Sequence, residues 1–166
     1  EFDLQKYADC YAKNNPFPHI VLHNLWNESI LSEVAEECLA FGDWDQETSH
    51  KGSIRKRTCN TLHKLPEKIS SLINYCNSPS FLRQIEVITG EKGLIPDPYL
   101  CGGGIHSTHD KGFLKMHTDF NWHSHLKLYR RINLLIYLNK NWKNSWGGEL
   151  RLARMKEKKL KFEKSI

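Results

Sequence analysis

The chain has 166 residues, a formal charge of +5, 39% hydrophobic and 11% aromatic residues, a composition that fits one globular domain with a real core. No apolar run is long enough to cross a bilayer, and the start, Glu1-Phe2-Asp3-Leu4-Gln5-Lys6, lacks the basic-then-apolar order of a secretory leader. No membrane partner and a cytoplasmic location are therefore expected. The cysteines Cys10, Cys38, Cys59, Cys76 and Cys101 are widely spread and form no Cys-x-x-Cys pair, which reads as reduced thiols and not as a disulfide framework or zinc cluster.

Leu4, Tyr7, Ala8 and Tyr11 recur at helical spacing and predict a first helix over residues 2–13, ended by Asn14-Asn15-Pro16. Phe17 to Leu22 reads as a strand after a proline. Asn27 is an N-cap for an amphipathic helix carrying Ile30, Leu31, Val34, Ala35, Cys38 and Leu39 on one stripe, with Gly42 as its stop. Residues 43–57 are polar and charged, and predict a long mobile loop that serves as a connection or as a substrate-binding lid. A short strand is expected at 58–65. Pro66 then opens a helix from Glu67 to Cys76, with Ile69, Leu72 and Ile73 inward. After the break at Asn77-Ser78-Pro79, a last helical stripe (Phe81, Leu82, Ile85, Ile88) closes at Gly90.

From Tyr99 onward helical spacing gives way to glycines and short β-prone runs at 99–106, 113–120, 130–139 and 149–154, with a weaker one at 158–164. Helices first and strands after predict an α+β domain with helices packed on a mostly antiparallel sheet. Short strands with Gly-rich connections suit a jelly-roll barrel. Gly102-Gly103-Gly104 lacks the lysine of a phosphate loop and reads as a bulge or a close backbone approach. Gly147-Gly148 reads as a turn needing positive φ.

The chemistry centres on His117-Thr118-Asp119. In an extended segment alternate side chains share a face, so His117 and Asp119 can offer an imidazole and a carboxylate to one metal ion. Two histidines and one carboxylate form the usual protein half of a non-haem Fe(II) oxygenase site. Leu135 and Tyr137 share a face, and a phenol there can donate to a carboxylate. His106 is a further candidate for the same pocket. Of the neighbours Arg130 and Arg131, one is expected to face solvent and the other a substrate or a carboxylate.

Residues 99–152 resemble the central part of the 2-oxoglutarate- and Fe(II)-dependent dioxygenases, on the prolyl 4-hydroxylase-like side of that superfamily. The resemblance rests on Gly102-Gly103-Gly104-Ile105-His106, on Gly112 to Asp119, on Arg130 to Lys140 with its Tyr137-Leu138-Asn139-Lys140, on Trp142, and on Trp146-Gly147-Gly148-Glu149-Leu150. It implies a double-stranded β-helix (jelly-roll, cupin-like) with N-terminal helices packed on it. The expected layout is a single domain over 1–166, with 1–93 mostly helical support and 94–166 the first part of the β-helix core. It implies Fe(II) held by His117 and Asp119, 2-oxoglutarate as cosubstrate with Tyr137 on its distal carboxylate, O2 as oxidant, and ascorbate as an auxiliary reductant. The implied substrate is a prolyl residue in a protein or peptide, with a small molecule as the alternative. The family also calls for a distal histidine ligand and a later arginine or lysine for 2-oxoglutarate. Both would follow the strand of Leu160-Lys161-Phe162-Glu163, so the chain is expected to be a fragment with its last strands missing. His106, His109, His123 and His125 are the histidines near enough in sequence to stand in for the distal ligand.

Two other readings make different predictions. A non-catalytic jelly-roll binding or scaffold protein would show no metal-dependent stabilisation. A basic nucleic-acid-binding module using Lys156, Lys158, Lys159, Lys161 and Lys164 would bind with steep salt dependence. The alternation of Leu160 and Phe162 with those lysines favours a half-buried strand over the nucleic-acid reading. A zinc hydrolase fits less well, because no second histidine stands at helical spacing with a glutamate.

Overall fold

The computed structural model describes residues 3–156 and 159–165. The chain folds into two compact units, one of residues 1–25, 79–94 and 140–166, the other of 26–78 and 95–139. Among the described residues, no helix is long and apolar enough to cross a membrane.

The second unit carries the main core. Helix α2 (Glu28–Ala40) starts where Asn27 Oδ1 accepts from the Ser29 N–H at 2.9 Å, as an N-cap should. It buries Val34 and Ala35 and ends one residue before Phe41, ahead of the expected stop at Gly42. Helix α3 (Glu67–Cys76) packs against it. The free amides of the first turn of α3 find a partner in α2, since the Ile69 N–H donates to Glu37 Oε2 at 3.0 Å. Val34 and Ile69 are both 2% exposed, and each contributes on the order of 1.5–3 kcal/mol through burial. They cluster with Cys59, Leu65, Leu100 and Ile105, with Phe41, Trp44 and Leu138 packed around them.

The expected loop at 43–57 is instead largely a hairpin. Strands β1 (Gln46–His50) and β2 (Ser53–Cys59) pair antiparallel, and β2 pairs antiparallel with β3 (Ile105–Leu114), giving the sheet order β1-β2-β3. Its polar sequence is compatible with pairing because the backbone ladder needs no apolar side chains; only Ser53 and Cys59 of β2 are buried. Arg55 has φ 54° where the register shifts between Ile54 and Lys56, a bulge that turns the strand. Gly104 has φ +81°, and a Cβ there would lie 2.1 Å from the Cys59 carbonyl oxygen. The glycine run is therefore a close backbone approach at the entry to β3.

Other expected strands are not formed. Phe17 to Leu22, 99–104 and 130–139 are not strand. A short helical turn at Leu62–Lys64 follows β2 in place of a strand through 65. The small ribbon β4 (Trp122–His123) with β5 (Leu128–Tyr129) completes the unit. The mixed helix-and-sheet content with antiparallel strands is present, but the double-stranded β-helix is not formed among the described residues. The reason is pairing: β-prone composition marks 113–120 and 130–139 as extended, yet among the described residues no neighbouring strand closes a ladder along 115–120 or 130–139.

The first unit holds α1 (Leu4–Lys13) against α4 (Pro79–Thr89) and the hairpin of β6 (Arg151–Lys156) and β7 (Lys159–Ser165). Gly147 and Gly148, with φ +68° and +84°, lie ahead of β6, as a turn there requires. The His19 Nδ1–H donates to the Phe17 carbonyl at 2.7 Å, which leaves Nε2 to accept from Lys164 Nζ at 3.2 Å. Of the residues in the expected elements, Phe2 of the first helix and Lys158 of the basic tail lie outside the described residues.

Candidate metal centre

His117 and Asp119 lie on an unpaired extended segment just after β3. The segment is fixed at its start by the Lys115 N–H donating to the Gly52 carbonyl at 2.9 Å, and after β5 by the Arg130 N–H donating to the Asn121 carbonyl at 2.9 Å. His117 Nε2 and Asp119 Oδ1 approach to 3.2 Å. His117 Nδ1 lies 2.7 Å from the Lys115 carbonyl. A carbonyl only accepts, so Nδ1 carries the hydrogen, and in the neutral ring the Nε2 lone pair points at the carboxylate. A proton on Nε2 or a metal ion between the two atoms would satisfy both. With metal–ligand bonds near 2.1 Å, two adjacent ligand atoms at a right angle stand about 3 Å apart, close to the spacing seen.

The other oxygen of Asp119 is held from behind. Asn133 Nδ2 donates to Oδ2 at 3.0 Å, and Arg130 Nη1 stands 3.5 Å from it. Arg130 also donates to Asn133 Oδ1 at 2.8 Å and lies over the Phe120 ring at 4.8 Å. Gly102 makes room for that ring, because a Cβ there would come within 2.9 Å of Phe120. Outer contacts of this kind orient metal-binding groups and tune their basicity. Arg130 thus meets a carboxylate, as was expected of one of the two neighbouring arginines.

Asp119 borders a hollow of about 460 Å3, lined also by Lys56, Thr58, His106, Phe120 and Arg130. His106 Nε2 contacts the Gly103 carbonyl at 3.0 Å. Removal from water, and secondly the Lys56 charge, hold its imidazole below the usual histidine range. Asp45, on the same wall, accepts from the Asn60 and Thr61 N–H groups at 2.9 and 3.0 Å and pairs with Lys64 at 3.0 Å. Tyr137 is exposed and does not line this hollow. Partial desolvation raises its phenol. Asp119, which meets His117, and His106 thus share this hollow, and Tyr137 is not among its lining residues.

Of the histidines considered as a distal ligand, His109 is exposed and His125 stacks on Tyr99 at 5.0 Å. Among the described residues, the one group of three metal-ligating side chains with ligand atoms within 4.8 Å of one another is Asp97, Cys101 and His123. Its hydrogen bonds point to another role. His123 Nδ1 accepts the Leu126 N–H at 3.0 Å, so Nε2 carries the hydrogen and donates to Asp97 Oδ1 at 3.0 Å. A metal at Nε2 would have to displace that proton and break the Leu126 bond. Asp97 is meanwhile engaged by the Tyr99 and Cys101 amides at 2.9 and 2.7 Å. We read the trio as a fastening between two loops. Lys56, Asp97 and Asn133 carry no role in the sequence reading. An Asx turn at Asp97-Pro98-Tyr99 is the signal that could have flagged Asp97.

Residues 103–165 match the family model of the 2OG-Fe(II) oxygenase superfamily. That span contains His106, His117, Asp119, Arg130, Asn133 and Tyr137. No curated protein and no solved structure gives a significant match.

Proposed function

We propose that the chain is a hydroxylase dependent on Fe(II) and 2-oxoglutarate, acting with O2 on a prolyl residue of a protein or peptide, with ascorbate as an auxiliary reductant. The dioxygenase part of this reading is supported by the family match over 103–165. The observation that carries it is the 3.2 Å approach of His117 Nε2 to Asp119 Oδ1, with the tautomer of His117 set by the Lys115 carbonyl. This donor pair, one imidazole and one carboxylate, is the chemistry that non-haem Fe(II) uses. When bound, iron with 2-oxoglutarate and O2 supplies the oxidant that converts a C–H bond to an alcohol.

The protein's own part is positional. In the tautomer set by the Lys115 carbonyl, Nδ1 of His117 holds the hydrogen and Nε2 offers the lone pair. Asp119 keeps one oxygen free because Asn133 and Arg130 occupy the other. Arg130, itself lying over the Phe120 ring, stands beside the carboxylate oxygen that faces away from His117. His117 and Asp119 are the metal ligands of this proposal. Tyr137 and His106 are its cosubstrate-side candidates, and only His106 borders the Asp119 hollow.

The test is twofold. Mn(II) binding, followed by electron paramagnetic resonance, should be lost in His117→Ala and in Asp119→Ala. Succinate formation from 2-oxoglutarate should then require Fe(II) and rise with prolyl peptides. Metal-independent stability and no succinate under any condition would favour the second reading, a non-catalytic binding protein. That reading draws on one observation: among the described residues, no third ligand atom converges on His117 and Asp119.

A further inference from the structure

The hollow beside Asp119 contains a cation, Lys56, that no hydrogen bond or ion pair among the described residues holds. Asp45 is paired with Lys64 at 3.0 Å, and Asp119 with Arg130 at 3.5 Å. Arg130 is further committed to Asn133 and to the Phe120 ring. Lys56, half-buried on β2, has no hydrogen bond or ion pair from its ammonium among the described residues. Its neighbours Arg55 and Arg57 are engaged elsewhere, on the Asp110 carbonyl and on Glu47.

The sheet sets the position of Lys56. The bulge at Arg55, with its φ of 54°, lies immediately before it. Bulges beside functional sites re-aim the side chains that follow them. Lys56 and Thr58 are two apart on β2 and both line the hollow, while His106 is the β3 partner of Thr58. Gln46 and Asn60 add neutral polar groups to the same wall. A desolvated ammonium in a recess with neutral hydrogen-bonding neighbours is what a single carboxylate needs.

We propose that Lys56 anchors a carboxylate of the ligand that fills this hollow. The proposal deepens the oxygenase reading and rests on it for the nature of the ligand. The carboxylate belongs either to the 2-oxo acid or to an acidic side chain next to the target proline. Burial lowers the affinity of Lys56 for its proton, with the Asp119 charge acting against that trend. An incoming carboxylate would relieve that desolvation cost.

The test is calorimetric titration of the full chain with two probes. One is 2-oxoglutarate. The other is the capped peptide Glu-Pro-Glu, set against its amide twin Gln-Pro-Gln. Lys56→Met should weaken binding of one carboxylate probe about tenfold or more, and Lys56→Arg, which keeps the charge, by less than about threefold. The amide twin should not respond to either variant. The probe that loses affinity identifies the source of the carboxylate. Equal affinity of wild type and Lys56→Met for both probes, or no binding of either, overturns the proposal. Mn(II) binding at His117 and Asp119 is measured on the same samples. Mn(II) bound normally with a silent Lys56→Met sinks the anchor alone; Lys56-dependent binding without Mn(II) sinks the oxygenase reading alone.

Discussion

Asp97 and His123 are joined by a 3.0 Å hydrogen bond across the start of the β-rich segment, and His123 is only 6% exposed. The bond ties the turn ahead of Gly102 to β4, which follows the His117–Asp119 segment. Replacing His123 by Ala leaves the Leu126 amide without its partner and removes one of the two donors to Asp97 Oδ1, the Tyr99 amide remaining. We expect a loss of about 1–3 kcal/mol in urea unfolding, partly restored in His123→Gln. Because both ring nitrogens are already used, Cd(II) titration should give no cysteine-thiolate charge-transfer band from Cys101.

The metal ligands should separate from the stability residues. The His117 and Asp119 side chains are 49% and 43% exposed, so His117→Ala and Asp119→Asn should shift the melting temperature little while abolishing Mn(II) binding. Asn133→Ala removes the hydrogen bond behind Asp119 and should weaken Mn(II) binding by roughly 10–100-fold. Metal-binding curves for the three variants, set beside their thermal melts, check this.

Two glycines should respond unequally to alanine. At Gly104 a new Cβ would lie 2.1 Å from the Cys59 carbonyl, in addition to the strain of φ +81°. At Gly90, φ is +75° but nothing lies within 4 Å. Gly90→Ala should cost about 1–2 kcal/mol from the left-handed backbone alone. Gly104→Ala should cost well beyond that, about 3 kcal/mol or more, since backbone must move. Urea midpoints of the two variants decide it.

Asp45 should make part of the acid sensitivity of the protein. The Lys64 ammonium first, with the Thr61 and Asn60 donors, holds its carboxyl well below the usual carboxylate range. A carboxyl depressed in the folded state contributes stability that is present above its unfolded pKa, near 3.9, and is lost as pH falls below that. Asp45→Asn should therefore flatten the fall in stability from about pH 5 downward and leave the alkaline side unchanged. Denaturant midpoints measured across that range test the sign.

The thiols should alkylate in order of exposure. Burial pushes Cys38, with Glu37 adding to it, and Cys76 up to about 11, so little thiolate exists near neutral pH. Cys59 is fully buried, while Cys10 is exposed. Iodoacetamide followed by mass spectrometry should label Cys10 first and Cys38, Cys59 and Cys76 last.

Local signals were the legible ones. Asn27 as a cap, Pro66 before α3 and the stripe of α4 each depend on neighbours a few residues away, and each stands in the structure. His117 and Asp119 were readable because alternation puts both on one side of an extended chain. The β1–β2 hairpin was not, since its face toward the hollow is polar and gives no apolar alternation; the Lys51-Gly52 turn was its one sequence mark. The 130–139 run shows the reverse error. Its residues favour a strand, but composition does not reveal whether a partner strand lies beside it. Asp97 with His123, and Lys56 with Asp119, depend on residues far apart in the chain, which no local pattern encodes.

The order in which the chain visits its two units limits how it can be taken apart. It builds one with residues 1–25, leaves for 26–78, returns for 79–94, leaves again for 95–139 and returns for 140–166. No single cut releases either unit as a continuous polypeptide. A protease nick near 94 would separate β2 from β3 in covalent terms while their ladder still held them, so the two pieces should comigrate until denatured.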